Sequence, residues 1–200
     1  MSSAATMQVE PAESPLTPES WGKLGMWIFL AADAMSFGGL LAGYGALRYV
    51  SPNWPNPMRT LGINLTAFMT FLLIVSSFTM VKALSARRHG DIGRTKMFLL
   101  LTMLGGASFL GLQAFEWTHL IREGMTVSSN PFGSALFGST FFILTGFHGC
   151  HVLAGVIYLG VTVFMTGRGS WSFNEVEITG LYWHFVDLIW ILVFTFVYLL

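Results

Sequence analysis

The sequence predicts an all-α fold, an integral membrane bundle of five transmembrane helices. Hydrophobic residues make up 54% of the 200 positions and charged residues only 10%, whereas a soluble domain carries about 25% charged residues. The apolar residues also fall into runs close to the ~20 residues that a helix needs to cross a bilayer. Proline, glycine or charged clusters separate these runs, which places helix ends between them.

Composition also excludes several classes of protein. High hydrophobicity with zero net charge is the opposite of the pattern that keeps a chain disordered. Ten basic residues balance ten acidic ones, so the sequence lacks the excess of basic residues that is typical of nucleic-acid-binding proteins. The single Cys150 excludes a disulfide framework and a cysteine-based zinc site.

Two regions follow from this pattern, a polar N-terminal tail over residues 1–20 and a transmembrane domain over residues 21–200. The tail lacks the basic start and short apolar core of a secretory signal. Thr17 and Pro18 have the residue types expected of a helix cap and a first helical position. The five predicted spans cover roughly residues 22–48, 61–84, 96–121, 134–166 and 177–200.

The fourth span is the least regular of the five. Residues 131–167 contain no Asp, Glu, Lys or Arg. This run is too long for one upright crossing and too short for two helices and a turn. It predicts one long tilted helix that begins near Ser134, after the Asn130-Pro131 turn signal.

The basic residues predict the orientation of the bundle, because Lys and Arg resist translocation. The side of the N-terminus carries seven of them and the opposite side three, which predicts a cytoplasmic N-terminus and a C-terminus outside. The seven are Lys23, Lys82, Arg87, Arg88, Arg94, Lys96 and Arg168, and the three are Arg48, Arg59 and Arg122.

Asp33 lies well inside the first span. A charge at the bilayer centre costs between ~2.5 and ~17 kcal/mol by different estimates. Two interpretations stay open for this residue. It is a protonatable group on a proton or ion path, or it is a neutral acid bonded to a helix neighbour such as Ser36.

Histidines and acids in the later spans suggest cofactor sites only weakly. Glu116 and His119 have the i, i+3 spacing of a di-iron bundle, but such a site needs two such pairs, so we expect a hydrogen-bonded pair at the membrane interface. His148 and His151 would need a facing ligand to hold haem, and His184 is the one other histidine that lies inside a span rather than at its end. Nearby glycines favour close helix packing with polar contacts instead.

Glu177, His184 and Asp187 fall on one stripe of the last span. Such a stripe could relay protons or position a lipid head group. We favour a polar seam between helices, because no nucleophile or metal set completes a catalytic mechanism. The sequence therefore predicts no catalytic residue and no metal site.

Three segments resemble a known family, in the same order along residues 21–200. Glu177-Ile-Thr-Gly-Leu-Tyr-Trp-His-Phe-Val-Asp-Leu-Ile-Trp190 closely resembles a signature of subunit III of the haem–copper terminal oxidases. Gly146-Phe-His-Gly-Cys-His-Val-Leu-Ala-Gly155 resembles a second signature, with departures at Phe147 and Cys150. Gly25-Met-Trp-Ile-Phe-Leu-Ala-Ala-Asp-Ala-Met-Ser-Phe37 resembles the opening span of the short five-helix bacterial form, with Ala32 where the family has Ser.

The resemblance implies an accessory subunit without redox centres, which binds phospholipid and packs on subunit I. The haem and copper would lie in partner subunits, with subunit II and a small subunit IV as further partners. Asp33 would support proton uptake. The remaining matched residues would be lipid-associated or structural: Glu116, His119, His148, His151, Glu177, His184 and Asp187.

The complex so implied is a proton-translocating cytochrome c oxidase of aerobic respiration, in a bacterial plasma membrane. The nearest alternative is the same subunit in a quinol oxidase, which shares the five-span form. A haem-binding membrane redox protein using His148, His151 and His184 is a third candidate. A proton-coupled transporter would need a broken helix or an internal repeat, and the sequence shows neither.

Overall fold

A computed structural model describes residues 21–200, so the polar tail and the expected cap at Thr17 and Pro18 lie outside the described residues. The described part is helical and contains no strand. Five helices in it are long and apolar enough to cross a membrane, which confirms the predicted five-helix membrane bundle. The elements are α1 (Trp21–Val50), α2 (Pro57–Thr60), α3 (Ile63–Arg88), α4 (Ile92–Arg122), α5 (Ala135–Gly167), α6 (Phe173–Val193) and a π-helical turn, Phe194–Leu199, that continues α6.

Helix ends follow the local capping chemistry. The Ser134 side chain accepts a hydrogen bond from the main-chain N–H of Leu136 and starts α5. Ser172 and Glu175 form a capping box, so the last helix begins at Phe173 rather than at residue 177. The four-residue α2 interrupts the proline-rich connector, where Asn56 caps it and Pro57 takes the first helical position.

α5 is a single helix of 33 residues. At 1.5 Å per residue it is about 50 Å long, well beyond the ~30 Å hydrocarbon core of a bilayer. A helix of this length must tilt or extend into the aqueous phase. It ends at Gly167, and Gly169 follows in the left-handed region with a φ of 73°.

The last helix is the centre of the bundle and α1 is its periphery. Half of the residues in an 18-residue apolar stretch of the last helix are buried, whereas only 11% are buried in the corresponding stretch of α1. α6 packs against α1, α3 and α5, while α3 and α4 form a closely packed pair. The largest fully buried side chains include Trp183, Trp190 and Tyr198 of the last helix.

Trp183 packs into space left by glycines on two other helices. A Cβ placed on Gly106 of α4 would overlap Cη2 of Trp183. A Cβ on Gly155 of α5 would lie 2.9 Å from the same ring. The indole Nε1 donates to Oγ of Ser76 on α3 at 3.1 Å. The ring thus joins three helices, because small residues let helix backbones approach closely inside a membrane.

We predict that Gly106→Ala destabilises the bundle by about 1–3 kcal/mol, because the added methyl group overlaps the Trp183 ring. Gly111→Ala on the same helix is the matched control, since a Cβ there has no neighbour within 4 Å. The measurement is thermal denaturation of the purified protein complex. A Gly106→Ala midpoint equal to or above that of Gly111→Ala would contradict the packing described.

Candidate functional site

Asp33 of α1 and His151 of α5 form a buried pair. Oδ2 of Asp33 lies 3.2 Å from Nε2 of His151, and the two side chains are 10% and 15% exposed. Nδ1 of His151 lies 2.7 Å from the carbonyl oxygen of Phe147. A carbonyl can only accept a hydrogen bond, so Nδ1 carries a hydrogen. The contact between Nε2 and Oδ2 does not have hydrogen-bond geometry, and Oδ2 has no hydrogen-bond partner within residues 21–200.

The surroundings of this pair join three helices. The ring of Phe37 lies 5.1 Å from the His151 ring, and the Tyr182 hydroxyl of α6 donates to the His151 carbonyl oxygen at 3.0 Å. Ser36, a partner of Asp33 in one of the two interpretations, instead donates to the carbonyl oxygen of Ala32 at 3.3 Å. The carboxyl group thus contacts another helix rather than its own.

Glu116 is a second buried acid, with 4% of its surface exposed. The hydroxyl of Thr66 on α3 donates to Oε1 at 3.0 Å. The hydroxyl of Tyr198, in the π-helical turn, donates to Oε2 at 3.0 Å. Each carboxyl oxygen therefore has a donor from a different element, and the contact ties α3, α4 and the π-helical turn together.

Glu116 and His119 do not form the expected pair. His119 is largely exposed, and its Nδ1 lies 3.5 Å from a carboxyl oxygen of Glu123. Glu116 points inward because both of its donors lie inside the bundle. Glu116 and His119 lie on the same side of the helix but contact different residues.

The predicted stripe on the last helix divides into two sites. Glu177 pairs with Lys23 of α1, with 2.9 Å between Oε2 and Nζ. Further along, the Ser77 hydroxyl of α3 donates to Oδ2 of Asp187 at 2.7 Å. The same oxygen of Ser77 lies 3.3 Å from Nδ1 of His184. Ser77 therefore bridges the histidine and the acid.

His148 is fully buried among aromatic rings. Its ring centroid lies 4.9 Å from that of Trp190 and 5.6 Å from that of Phe109. Within residues 21–200 neither of its ring nitrogens has a hydrogen-bond partner. His148, His151 and His184 thus have three separate environments. The described residues contain no group of three or more His, Cys, Asp or Glu side chains that could hold a metal ion.

Several partners in these sites were not predicted from the sequence. The contacts of Thr66, Tyr198 and Ser77 each join residues more than forty positions apart in the chain. The charge of Lys23 indicates orientation, but nothing in the sequence around it indicates its contact with Glu177. Such contacts can be predicted only if it is known which faces of the helices pack together.

Comparison with known proteins identifies the family to which this chain belongs. The family model described as "Cytochrome c oxidase subunit III" matches residues 20–200. The chain belongs to that family. The match covers all five membrane helices and all the polar contacts described above.

Curated relatives agree with this membership. Quinol oxidase subunit 3 of Bacillus subtilis (strain 168) is 36% identical over 180 residues, which cover 88% of this chain and 86% of the relative. Cytochrome c oxidase subunit 3 of the same organism is 34% identical over 181 residues, covering 88% and 85%. The probable cytochrome c oxidase subunit 3 of Nocardia farcinica (strain IFM 10152) is 33% identical over 200 residues, covering 98% and 94%.

The chain is thus an accessory subunit III of a haem–copper terminal oxidase. It is a multi-pass membrane protein and works in a complex with other oxidase subunits. Catalysis belongs to the complex.

We predict that Tyr198→Phe destabilises subunit III by about 1.5–3 kcal/mol, because it removes a hydrogen bond to a buried carboxyl group. Tyr49→Phe is the matched control, since Tyr49 is 92% exposed. The measurement is the thermal denaturation midpoint of the purified complex, followed by the release of subunit III. Equal midpoints for the two variants would show that the Tyr198–Glu116 contact contributes nothing to stability.

Proposed function

We propose that this subunit III serves a proton-translocating cytochrome c oxidase, in which electrons pass from cytochrome c to oxygen. Its support is the set of relatives named cytochrome c oxidase subunit 3, from Bacillus, Nocardia and Mycobacterium, which match most of the chain. The alternative is a quinol oxidase, supported by the two Bacillus relatives named quinol oxidase subunit 3.

In this proposal the haem and copper belong to partner subunits, with subunit I in direct contact with this chain. The outer surface of α1 supports that contact, because it exposes many small residues. Small residues allow close approach of a neighbouring helix in a membrane. A Cβ would have no neighbour within 4 Å at any of five α1 glycines: Gly25, Gly38, Gly39, Gly43 and Gly45. Subunit II and a small subunit IV complete the proposed complex, and phospholipid covers other exposed apolar surface.

Asp33 supports proton uptake indirectly in this proposal. Its carboxyl group faces His151 inside the chain rather than the surface of α1. The contact between the two side chains can hold α1 in position against subunit I. The observation that carries this role is the 3.2 Å contact between two largely buried titratable side chains on different helices.

The other polar residues have structural or lipid-associated roles in this proposal. Glu116, Glu177 and Asp187 each contact a residue of another element. His119 lies exposed at the end of α4, where a lipid head group can reach it. His148 and His184 contribute to helix packing.

We also propose a bacterial plasma membrane location with the N-terminus in the cytoplasm. The contacts between Lys23 and Glu177 and between Arg87 and the Trp171 carbonyl oxygen gather three helix ends at one end of the bundle. Seven of the ten basic residues belong to that end or its connectors. Such an excess favours the cytoplasmic side.

We predict that the purified complex consumes oxygen with reduced cytochrome c as donor and acidifies the outside of a vesicle while doing so. The measurement compares oxygen uptake and proton release with reduced cytochrome c and with a soluble quinol. The complex should also contain a haem-bearing subunit that co-purifies with this chain. Oxygen uptake with quinol alone would contradict the cytochrome c proposal and favour the quinol oxidase.

A further inference from the structure

A pocket of about 610 Å³ lies where α3 ends and α4 begins. Two basic side chains line it, Lys82 near the end of α3 and Arg94 in the first turn of α4, and Asp91 is the one acid among its lining residues in the described part of the chain. We call this the connector pocket. Its lining includes Lys82, Ser85, His89, Asp91, Arg94 and Met97.

The acid of the connector pocket is already satisfied, whereas the basic groups have capacity left. Oδ1 of Asp91 accepts a hydrogen bond from the main-chain N–H of Arg94 at 2.9 Å, and Oδ2 lies 3.3 Å from Nε of the same residue. Within residues 21–200 the two terminal nitrogens of Arg94 form no hydrogen bond, and the Lys82 ammonium forms no ion pair. Two basic groups against one acid give the pocket a net positive charge, which favours an anion.

The other basic residues of this connector point away from the pocket. Arg87 donates to a main-chain oxygen of the α5–α6 connector, and the Arg88 guanidinium lies 5.2 Å from the centroid of an aromatic ring at the start of α6. A Cβ placed on Gly167 of α5 would lie 3.2 Å from Nζ of Lys96. The general excess of basic residues at this end of the bundle explains their sign, but Lys82 and Arg94 form a separate pair between α3 and α4.

The depth of the connector pocket limits the anions that fit it. α3 has 26 residues, so it is about 39 Å long at 1.5 Å per residue, close to the ~40–45 Å of a bilayer with its head groups. Lys82 precedes the end of the helix by about 9 Å on the same scale. Its side chain therefore lies near the boundary between head groups and hydrocarbon.

The surface next to the pocket, on the hydrocarbon side, is apolar. Phe78 and Val81 of α3 and Met97 and Leu101 of α4 are about half exposed. Nζ of Lys82 lies 5.4 Å from the centroid of the Phe78 ring, at the border between the two surfaces. A ligand that uses both surfaces must be anionic at one end and apolar at the other.

We propose that the connector pocket binds the head group of an anionic phospholipid such as phosphatidylglycerol. The phosphate contacts Lys82 and the terminal nitrogens of Arg94, whose planar group suits two phosphate oxygens at once. The acyl chains lie along the exposed side chains of α3 and α4. This surface is separate from the one proposed for subunit I, because α1 packs against α5 and α6. The inference rests on the proposed phospholipid contact of this subunit but not on the proposed electron donor.

The test uses the intact oxidase complex in phosphatidylcholine nanodiscs at low salt. The probe is phosphatidylglycerol with a photoreactive diazirine near the carbonyl end of one acyl chain. It should label residues 78–85 and 97–101 at least fivefold more strongly than phosphatidylcholine with the same acyl chain, because each basic group near the surface is worth about that factor. High salt should reduce this preference, because the Debye length falls from ~10 Å at 0.1 M to ~3 Å at 1 M.

Three variants separate binding in the pocket from attraction to a basic membrane surface. Lys82→Gln and Arg94→Gln should each lower phosphatidylglycerol labelling about fivefold and leave phosphatidylcholine labelling unchanged. Arg94→Gln keeps the main-chain hydrogen bond to Asp91. Lys96→Gln is the matched control, since it removes the same charge from the same connector but lies beside α5. The haem spectrum of each variant complex checks assembly.

Equal labelling by the two lipids in the unmodified complex would overturn the proposal, and so would an equal loss in Lys96→Gln and Lys82→Gln. Absence of labelling at residues 78–85 and 97–101, as when an acidic segment of a neighbouring subunit covers the pocket, would overturn it as well. Displacement of the probe by inorganic phosphate would assign the pocket to free phosphate instead. If the variants do not assemble, the comparison of the two lipids and its salt dependence decide the question. Oxygen uptake with reduced cytochrome c, measured on the same preparations, tests the proposed function separately.

Discussion

The position of α1 depends on a carboxyl group that must be satisfied inside the hydrocarbon core. A buried charge without a partner costs several kcal/mol, and Asp33 meets this constraint through His151 on α5. The hydrogen bond from His151 to the Phe147 carbonyl oxygen sets the orientation of the ring. Loss of either partner would leave the other polar group buried among Phe37 and its neighbours.

This constraint matters because α1 has little else to hold it. It is the least buried of the five membrane helices. The hydrophobic effect does not hold it against the bundle, because lipid tails are as apolar as the side chains of the helix. Polar contacts fix it at three depths. Lys23 pairs with Glu177 near one end, Asp33 contacts His151 in the middle, and Arg48 donates to the main-chain oxygen of Leu200 near the other end. The exposed outer surface of α1 thereby keeps one orientation relative to the rest of the bundle.

Local chemistry allowed the helices to be predicted from the sequence, but the contacts between them were not predictable in the same way. Long uncharged runs and the Ser134 cap depend only on residues that are close together in the chain. The five spans and the start of α5 could therefore be predicted from the sequence. The start of the last helix was misplaced because the Ser172 and Glu175 capping box lies outside the apolar run. Asp33 was identified as an acid inside a span, but a partner on its own helix was only one of the two interpretations left open. The true contact with His151 depends on how α1 and α5 are rotated, which hydropathy does not report. The same holds for Glu116, whose donors Thr66 and Tyr198 come from distant segments.

A double-mutant cycle on Asp33 and His151 tests most directly whether this pair positions α1. The variants are Asp33→Asn, His151→Gln and the double variant, each measured in the purified complex by thermal release of subunit III and by the number of turnovers before inactivation. Each single variant should lower both quantities, and the double variant should be no worse than the poorer single one, with a coupling free energy of about 1–3 kcal/mol. Additive losses, or turnover lifetimes unchanged in all three variants, would contradict a role for the pair in holding α1 and sustaining the oxidase.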